Sequence, residues 1–391
     1  MKKTVFVGIS GGVDSSVSAA LLKQATPNNF SKLFGRPTPK GFSGYNVVGV
    51  FIKTWHPDFI ECNEADERLD AIRVCAHLNI PFLSFDFESE YKKSVADYMI
   101  SQYRAGRTPN PDVMCNKEIK FGVFLNKALS MGADYVATGH YARVAQISEK
   151  GPTLKMPQGR SLGRNLCKGI DPSKDQSYFL WTLNQNQLSR ILFPIGHLKK
   201  TQVRKLAEKF GLSVAEKKDS QGVCFLGDID LKDFLKHYIK SKKGIVIDEK
   251  GQTIGEHDGA LFLTLGERHG FVVNKKSPND GPYYVVAKDV KKNIITVSQV
   301  GKRTDLKDAP RSVLGETVFV LGNVNWIPEA PRENKKYTAQ IRYHSEFLPC
   351  RIFYKGPTFV EGVFEKSVLV ASGQSIVIYD GDTVLGGGVV K

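Results

Sequence analysis

Cysteine is scarce in this chain and never closely paired: there are six in 391 residues, none at C-x-x-C spacing. Zinc knuckles and cysteine-held iron–sulfur clusters are built on such spacing, so neither is expected. Long apolar runs are missing too. Nothing approaches the roughly twenty consecutive apolar residues of a membrane-spanning helix. Met1-Lys2-Lys3 leads straight into a strand, so no signal or transit peptide is expected. A cytoplasmic location is expected, where cysteines stay reduced unless chemistry pairs them. No G-K-[ST] completes a nucleoside-triphosphatase P-loop, and the dinucleotide spacing G-x-G-x-x-G is absent. Internal repeats and low-complexity tracts are absent as well.

What is present is the composition of a folded globular protein, 41% hydrophobic and 24% charged, in a chain long enough for two or three domains. The charge is not balanced. Fifty-five Lys and Arg against 40 Asp and Glu give +15, the footprint of a polyanion binder. Doublets such as Lys199-Lys200, Lys217-Lys218, Lys242-Lys243 and Lys335-Lys336 are spread along the chain, so a long basic surface is expected rather than a tail.

The most informative stretch is Gly8-Ile9-Ser10-Gly11-Gly12-Val13-Asp14-Ser15-Ser16. Thr4-Val5-Phe6-Val7 before it reads as a strand buried on both faces, and Val17 to Leu22 after it reads as a helix. A glycine turn between strand and helix lets backbone N–H groups approach an anion, the serines add hydroxyl donors, and the helix N-terminus adds partial positive charge. Asp14 is the odd member, since a carboxylate repels phosphate; it fits as a ligand of a phosphate-bound metal ion or as a helix cap. Ser10-Gly11-Gly12-Val13-Asp14-Ser15 resembles the SGG-x-DS loop of the PP-loop ATP pyrophosphatases, which cut ATP between the α- and β-phosphates.

Further along, Ala25 to Gly44 is rich in Pro, Gly, Asn and Ser and reads as a surface insertion. A helix over Ala65 to Leu78 carries Leu69, Ile72, Cys75 and Leu78 at helical spacing, which makes Cys75 a core residue. Phe82-Leu83-Ser84-Phe85 and Ala133 to Gly139 are further strands. Strands alternating with helices predict a doubly wound, mostly parallel sheet, with ligands at the C-terminal ends of the strands. Ile52 and Gly139 end strands on that edge, near the first loop, and are expected to touch the adenosine. A helix from Thr201 to Phe210 ends at Gly211. Beyond Gly244 the chain turns into short β-rich runs that predict a small C-terminal β-barrel. The expected division is 1–220, a nucleotide-binding α/β domain; 221–285, a small linking domain; and 286–391, the β-barrel.

Two cysteines stand in glycine-rich, polar surroundings. Around Cys115, Pro109 and Pro111 predict an extended turn, with helix from Lys117 onward. That puts Cys115 near a helix N-terminus with Lys117 and Lys120 close in sequence, a setting that activates a thiol as nucleophile. Cys224 lies in a basic link between the two halves of the chain. A buried structural cysteine is the alternative at each position.

Five segments then narrow the resemblance. They are the Ser10–Ser15 loop, Thr108-Pro109-Asn110-Pro111-Asp112 with Cys115 to Phe121, Ala137-Thr138-Gly139-His140-Tyr141, Lys174-Asp175-Gln176-Ser177-Tyr178-Phe179-Leu180, and Asp219-Ser220 followed by Gly222-Val223-Cys224-Phe225. In this order they resemble the signatures of the tRNA-specific 2-thiouridylase family, and the likeness extends to Gly373-Gln374-Ser375 and Leu385-Gly386-Gly387-Gly388. The Ala25–Gly44 insertion departs from the pattern, and Ile52 stands where bacterial relatives often have Met.

The resemblance implies replacement of the C2 oxygen of the wobble uridine, position 34, by sulfur. That oxygen is a poor leaving group, so ATP with Mg2+ first converts it to an adenylate. A persulfide on Cys224, loaded by a separate sulfur donor, brings the sulfur, and Cys115 is the nucleophile that closes a transient disulfide with Cys224. Free sulfide is the alternative attacking species. Asp112 is the implied general acid or base, with a helix cap as its other reading. Gly8, Ile9, Ser10, Gly11, Gly12, Val13, Asp14, Ser15, Ile52 and Gly139 would bind ATP. Asn110, Pro111 and Asp112 would face the flipped-out base. His140, Lys174, Asp175, Gln176, Arg342, Tyr343 and Gln374 match tRNA-contacting positions. Arg342 next to Tyr343 is chemically apt, because a guanidinium grips phosphate and a phenol ring stacks on a base.

Two other readings compete. Another PP-loop adenylating ligase needs the first loop but no paired cysteines. A nucleotide-regulated RNA-binding protein needs the barrel and the basic face but no turnover.

Overall fold

The computed structural model describes residues 2–34, 37–60, 63–146, 163–219, 230–274, 281–299, 316–355 and 359–391; Cys224 and the link around it lie outside them. The first half contains β1 (Lys3–Gly8), β2 (Tyr45–Lys53), β3 (Phe82–Asp86), β4 (Tyr135–Ala137), β5 (Ala142–Gln146), β6 (Arg164–Lys168) and β7 (Ile191–Leu192). Five of these form a parallel sheet in the order β3-β2-β1-β4-β7. Alternation along β1 explains why it is central. Val5 and Val7 enter one apolar cluster and Phe6 the other, so the strand is covered on both faces. One cluster is roofed by α1 (Val13–Gln24) through Val17 and Leu21, and the other by Tyr91, Met99, Ile119 and Phe124. Each such side chain contributes about 1.5–3 kcal/mol by leaving water. The chain runs outward from β1 to β2 on one side and to β4 on the other. The C-terminal ends of β1 and β4 therefore flank the switch point where doubly wound sheets hold ligands.

Next come β8 (Gly244–Ile247), β9 (Thr253–His257), β10 (Phe271–Val273), β11 (Tyr283–Asp289) and β12 (Ile294–Gln299), a sheet in the order β10-β9-β8-β12-β11 around Val246, Leu263, Val285 and Ile295. The boundary expected at 285/286 falls inside β11. The last unit has β13 (Thr317–Trp326), β14 (Tyr337–Gln340), β15 (Leu348–Tyr354), β16 (Val360–Phe364), β17 (Ser375–Asp380) and β18 (Thr383–Val390). These six strands run antiparallel in the order β13-β16-β15-β14-β17-β18 and close through β13 with β18. The C-terminal barrel is thus present. A feature without a sequence signal joins it to the first half: β18 also pairs with β6, opposing Thr383 to Cys167 and Val384 to Leu166. A shared apolar cluster containing Leu166, Tyr178, Trp181, Val377 and Tyr379 lies beneath this seam.

Two local expectations are corrected and one gains detail. In the Ala25–Gly44 segment, the helix Phe30–Phe34 buries Phe30 completely and Phe42 stacks edge-on against it, so the surface insertion is anchored by aromatic side chains. The helix Glu64–His77 buries Ala71, Val74 and Cys75 and leaves Leu69 exposed, so its inward stripe is rotated from the expected one while still holding Cys75. Helix begins at Pro111, not Lys117, because proline is tolerated at the first helical position, where its missing N–H is not needed. Among the described residues no helix is long and apolar enough to cross a membrane.

Candidate active site

Glycine, not an acidic side chain, starts α1: Gly12 is its N-cap and no side chain caps it. The serines fold the loop back on itself. The Ser10 N–H donates to Ser15 Oγ at 3.3 Å, Ser15 Oγ donates to the Gly12 carbonyl at 3.2 Å, and Ser16 Oγ donates to the same carbonyl at 2.7 Å. The open end of α1 thus points toward the switch point, a geometry suited to phosphate. Gly139 lies against this turn: a Cβ there would stand 2.7 Å from the Ser15 nitrogen and 2.8 Å from the Asp14 carbonyl carbon. Ile9 is buried with its N–H on the Val50 carbonyl at 2.8 Å, and Ile52 is half-buried at the end of β2.

Asp14 neither caps the helix nor stands alone. Lys200 donates to both of its carboxylate oxygens at 2.8 Å, and the Tyr141 hydroxyl donates to Oδ1 at 2.7 Å. The Tyr141 backbone is clamped by Gln176, whose Oε1 accepts from the Tyr141 N–H at 3.1 Å. Lys200 also reaches Asp219 at 2.9 Å, and Asp219 is further held by Arg204 at 2.6 Å and Lys174 at 2.8 Å. Burial alone would raise the Asp219 carboxyl, but hydrogen bonds from Lys174 and Lys200 outweigh it and bring it down to about 2. Burial, with Asp14 adding to it, pushes the Tyr141 phenol far up, so it remains a hydrogen-bond donor. Lys174, Lys200 and Arg204 thus pair with the carboxylates of Asp14 and Asp219 beside the glycine turn.

A second group of predicted residues gathers where the three units meet. Asn110, not Asp112, caps the helix Pro111–Met114: its Oδ1 accepts from the Val113 N–H at 3.1 Å. The Asp112 carbonyl accepts from Asn116 Nδ2 at 3.0 Å. Cys115 opens a π-helical stretch, Cys115–Val123, and is only 4% exposed, within the apolar cluster that contains Tyr91, Ile119 and Phe124. Lys117 pairs with Glu118 at 2.9 Å. Thr108 is tied to both other units, by its N–H to the Ser372 carbonyl at 2.9 Å and by its hydroxyl to that of Thr264 at 3.1 Å.

Arg342 braces the same junction. It donates to the Leu265 carbonyl and, at 3.3 Å, to Gln374 Oε1, so part of its guanidinium is used within the protein. Tyr343 packs on Phe179 with ring centroids 4.4 Å apart. Burial raises its phenol to about 12, with the charges of Asp175 and Asp112 adding to the effect. Asp175 accepts from the Gly169 and Ser177 N–H groups at 2.9 and 3.1 Å, and burial nonetheless raises its carboxyl. His140 is buried, shares a 2.7 Å hydrogen bond with Thr138 through Nδ1, and is held well below the usual imidazole range by burial and Lys120.

The structure therefore brings Asp14, Ser15, Gly139 and Lys174 to one cluster and Asn110, Asp112, Arg342, Tyr343 and Gln374 to another. Gln176 joins the first through the Tyr141 N–H, and the charge of Asp175 acts on Tyr343 of the second. Cys115 is covered, and Cys224 is outside the described residues. Sequence reasoning missed the roles of Tyr141, Lys200, Arg204 and Asp219. Lys199-Lys200 carried a signal only as one more basic doublet.

Comparison with known proteins adds three matching family models. The tRNA methyl transferase HUP domain matches residues 3–34 and 41–228, the tRNA methyl transferase PRC-barrel domain residues 232–299, and the aminomethyltransferase beta-barrel domain residues 316–390. The chain is 41% identical over 394 residues to the tRNA-specific 2-thiouridylase MnmA of Geobacillus thermodenitrificans, covering 99% of this chain and 94% of the relative. It is 40% identical over 391 residues to that of Bacillus cytotoxicus, with the same coverages. Among solved structures, the U34-tRNA thiolase NcsA from Methanococcus maripaludis with its [4Fe-4S] cluster matches at 17% identity and a TM-score of 0.33, covering 61% of this chain and 67% of that one.

Proposed function

This chain belongs to the MnmA family of tRNA-specific 2-thiouridylases, and from that premise we propose that it uses ATP and a cysteine persulfide to replace the C2 oxygen of uridine 34 in tRNA by sulfur. The observation that carries this reading is the Gly8–Ser15 turn at the switch point, with Gly139 against it and Lys200 bound to Asp14. Such a turn holds a triphosphate by backbone N–H groups and helix N-terminus, with the α-phosphate presented to an incoming oxygen. The uridine O2 attacks that phosphorus and pyrophosphate leaves. Lys200 is placed to follow the negative charge from Asp14 onto the departing phosphates. A carboxylate so close to the turn fits a phosphate-bound magnesium ion, and Asp14 would hold it; the ion's chemistry there is to neutralise phosphate charge.

Sulfur transfer follows. The terminal sulfur of a Cys224 persulfide bonds to C2 and AMP departs. The Cys115 thiolate then attacks the Cys224 sulfur, the S–S bond to the transferred sulfur breaks, and its electron pair stays with the new thiocarbonyl. A Cys115–Cys224 disulfide remains, which an external thiol reduces. Asp112, three residues before Cys115, exchanges the proton. Because Cys115 is buried, this step requires the cover over it to open while tRNA is bound. Asn110, Arg342, Tyr343 and Gln374 would hold the anticodon loop at the junction of the three units. A persulfide-carrying protein is the implied sulfur donor, and the cytoplasm the implied location.

The test is mass analysis of tRNA nucleosides after incubation with ATP, magnesium and a persulfide donor. Wild type should yield 2-thiouridine, while Cys115→Ser and Cys224→Ser should bind ATP and tRNA yet yield none. Undiminished product from either variant would remove that cysteine from the mechanism, and pyrophosphate release independent of tRNA would remove the adenylation step.

A further inference from the structure

Beside the junction lies a cleft of about 520 Å3 between the β5–β6 hairpin and the β14–β15 loop; of the residues matched above to tRNA-contacting positions it contains Asp175. Its size falls in the range of about 300–1,000 Å3 typical of small-ligand sites. Arg143, Lys168 and Ile170 line one side, and His344, Ser345 and Phe347 the other.

The chemistry of this lining is unusual for plain surface. Lys168 Nζ stands 3.5 Å from the centroid of the Phe347 ring and 4.8 Å from that of Tyr379. Among the described residues Lys168 forms no ion pair. Burial lowers its ammonium from the ordinary lysine value. Arg143, by contrast, is spent on the Lys168 carbonyl at 2.7 Å and on Asp382 at 2.9 Å. The cleft thus offers one cation, held over an aromatic face and within reach of the charges of Asp175 and Asp382, rather than a cluster of phosphate-gripping charges. Phe347 is 38% exposed and Ile170 45%, large apolar areas to leave in water. His344 has a left-handed backbone, φ 60°, in the turn closed by the Ser345 N–H on the Arg342 carbonyl at 3.1 Å. Non-glycine residues held this way concentrate at functional sites. Its ring lies 3.9 Å from that of Tyr343, which in turn packs on Phe179. The aromatic series Phe179–Tyr343–His344 therefore ends in the cleft, which His344 lines.

We propose that this cleft binds a second, unpaired nucleobase of the same anticodon loop, immediately next to the uridine being modified. The base stacks with Phe347 and His344, and Lys168 donates to a ring nitrogen or carbonyl oxygen at its edge. Proteins read single-stranded RNA by such stacking and edge contacts. Two adjacent bases held in two pockets also explain how one base is kept out of the stack for reaction. This assignment rests on the thiolation reading for the identity of the RNA, but not for the measurement that tests it.

The experiment uses the full chain and an anticodon stem-loop RNA followed by fluorescence anisotropy, with a parallel assay of 2-thiouridine formation. Phe347→Ala and Lys168→Met should each weaken RNA binding about tenfold, the worth of one stacked or edge-bonded base. Both should raise the KM for tRNA by a similar factor, leaving kcat and ATP affinity within about twofold. An abasic nucleotide on one side of the wobble position should cost wild type about tenfold and cost Phe347→Ala almost nothing. Equal losses in wild type and variant at both neighbouring positions, or variant affinities within twofold of wild type, would overturn the proposal. If wild type binds the stem-loop with this pattern but makes no 2-thiouridine, the thiolation reading fails and the cleft stands.

Discussion

Lys200 and Asp14 are 186 residues apart in sequence and joined by two hydrogen bonds of 2.8 Å. Lys200 is mostly buried, and it is the cation shared between the turn that begins α1 and the carboxylate of Asp219.

Removing that charge should separate chemistry from folding. Lys200→Met is expected to lower stability by about 1–3 kcal/mol, the range for losing hydrogen bonds to charged groups. It should also slow tRNA-dependent pyrophosphate release by about a hundredfold, as for loss of one preorganised charge at a reacting phosphate. Lys200→Arg should recover much of the stability and part of the rate. Pyrophosphate release at the wild-type rate in Lys200→Met would confine this lysine to holding the loop.

Gly139→Ala probes the packing of β4's end against the turn. With 2.7 Å to the Ser15 nitrogen, a methyl group cannot be placed unless backbone moves. A shift of about 1 Å at a reacting site costs on the order of a hundredfold in rate. Titration calorimetry with a non-hydrolysable ATP analogue should show at least tenfold weaker binding, with RNA affinity unchanged.

Acid should release the Asp219 network. Its carboxyl titrates near 2 in the folded protein, against an ordinary value of 3.8. A depressed carboxyl contributes stability that is fully present above about pH 4 and lost as pH falls toward 2. Asp219→Asn should therefore be less stable than wild type at pH 7, by about 1 kcal/mol after allowance for solvent screening. Urea unfolding at successive pH values should show this gap narrowing below pH 4. A constant gap would mean that the variant acts through packing alone.

Gly373→Ala tests the tie between the barrel and the Arg107–Thr108 strand of chain. Gly373 has φ 91°, and a Cβ there would lie 2.9 Å from Arg107 Cβ and 3.0 Å from both the nitrogen and the oxygen of Thr108. The variant should retain ATP binding and lose about tenfold in kcat/KM for tRNA, about 1.4 kcal/mol. Equal losses with ATP and with tRNA would indicate general unfolding instead.

The parallel sheet was legible because Thr4–Val7 and its neighbours are short apolar runs bounded by turns, and burial on both faces demands that pattern. Two-residue β7 is too short to carry one. The glycine turn ahead of α1 could be read from six residues, since its conformation is local. Lys200, Arg204 and Asp219 could not, because charged residues at helix starts and in links look alike whether they face solvent or each other. The expected basic setting of Cys115 depended on sequence proximity, whereas the fold pairs Lys117 with its own neighbour Glu118 and covers the thiol. Asn110 rather than Asp112 took the capping position because Pro111 fixed where the helix begins.

The pairing of β18 with β6 has a practical corollary. A fragment ending before the barrel would keep the hairpin but lose its outer neighbour, baring a row of amide and carbonyl groups together with Leu166 and Tyr178 beneath them. Such an edge recruits other chains, so the nucleotide-handling half cut free should clump on expression instead of behaving as a miniature enzyme.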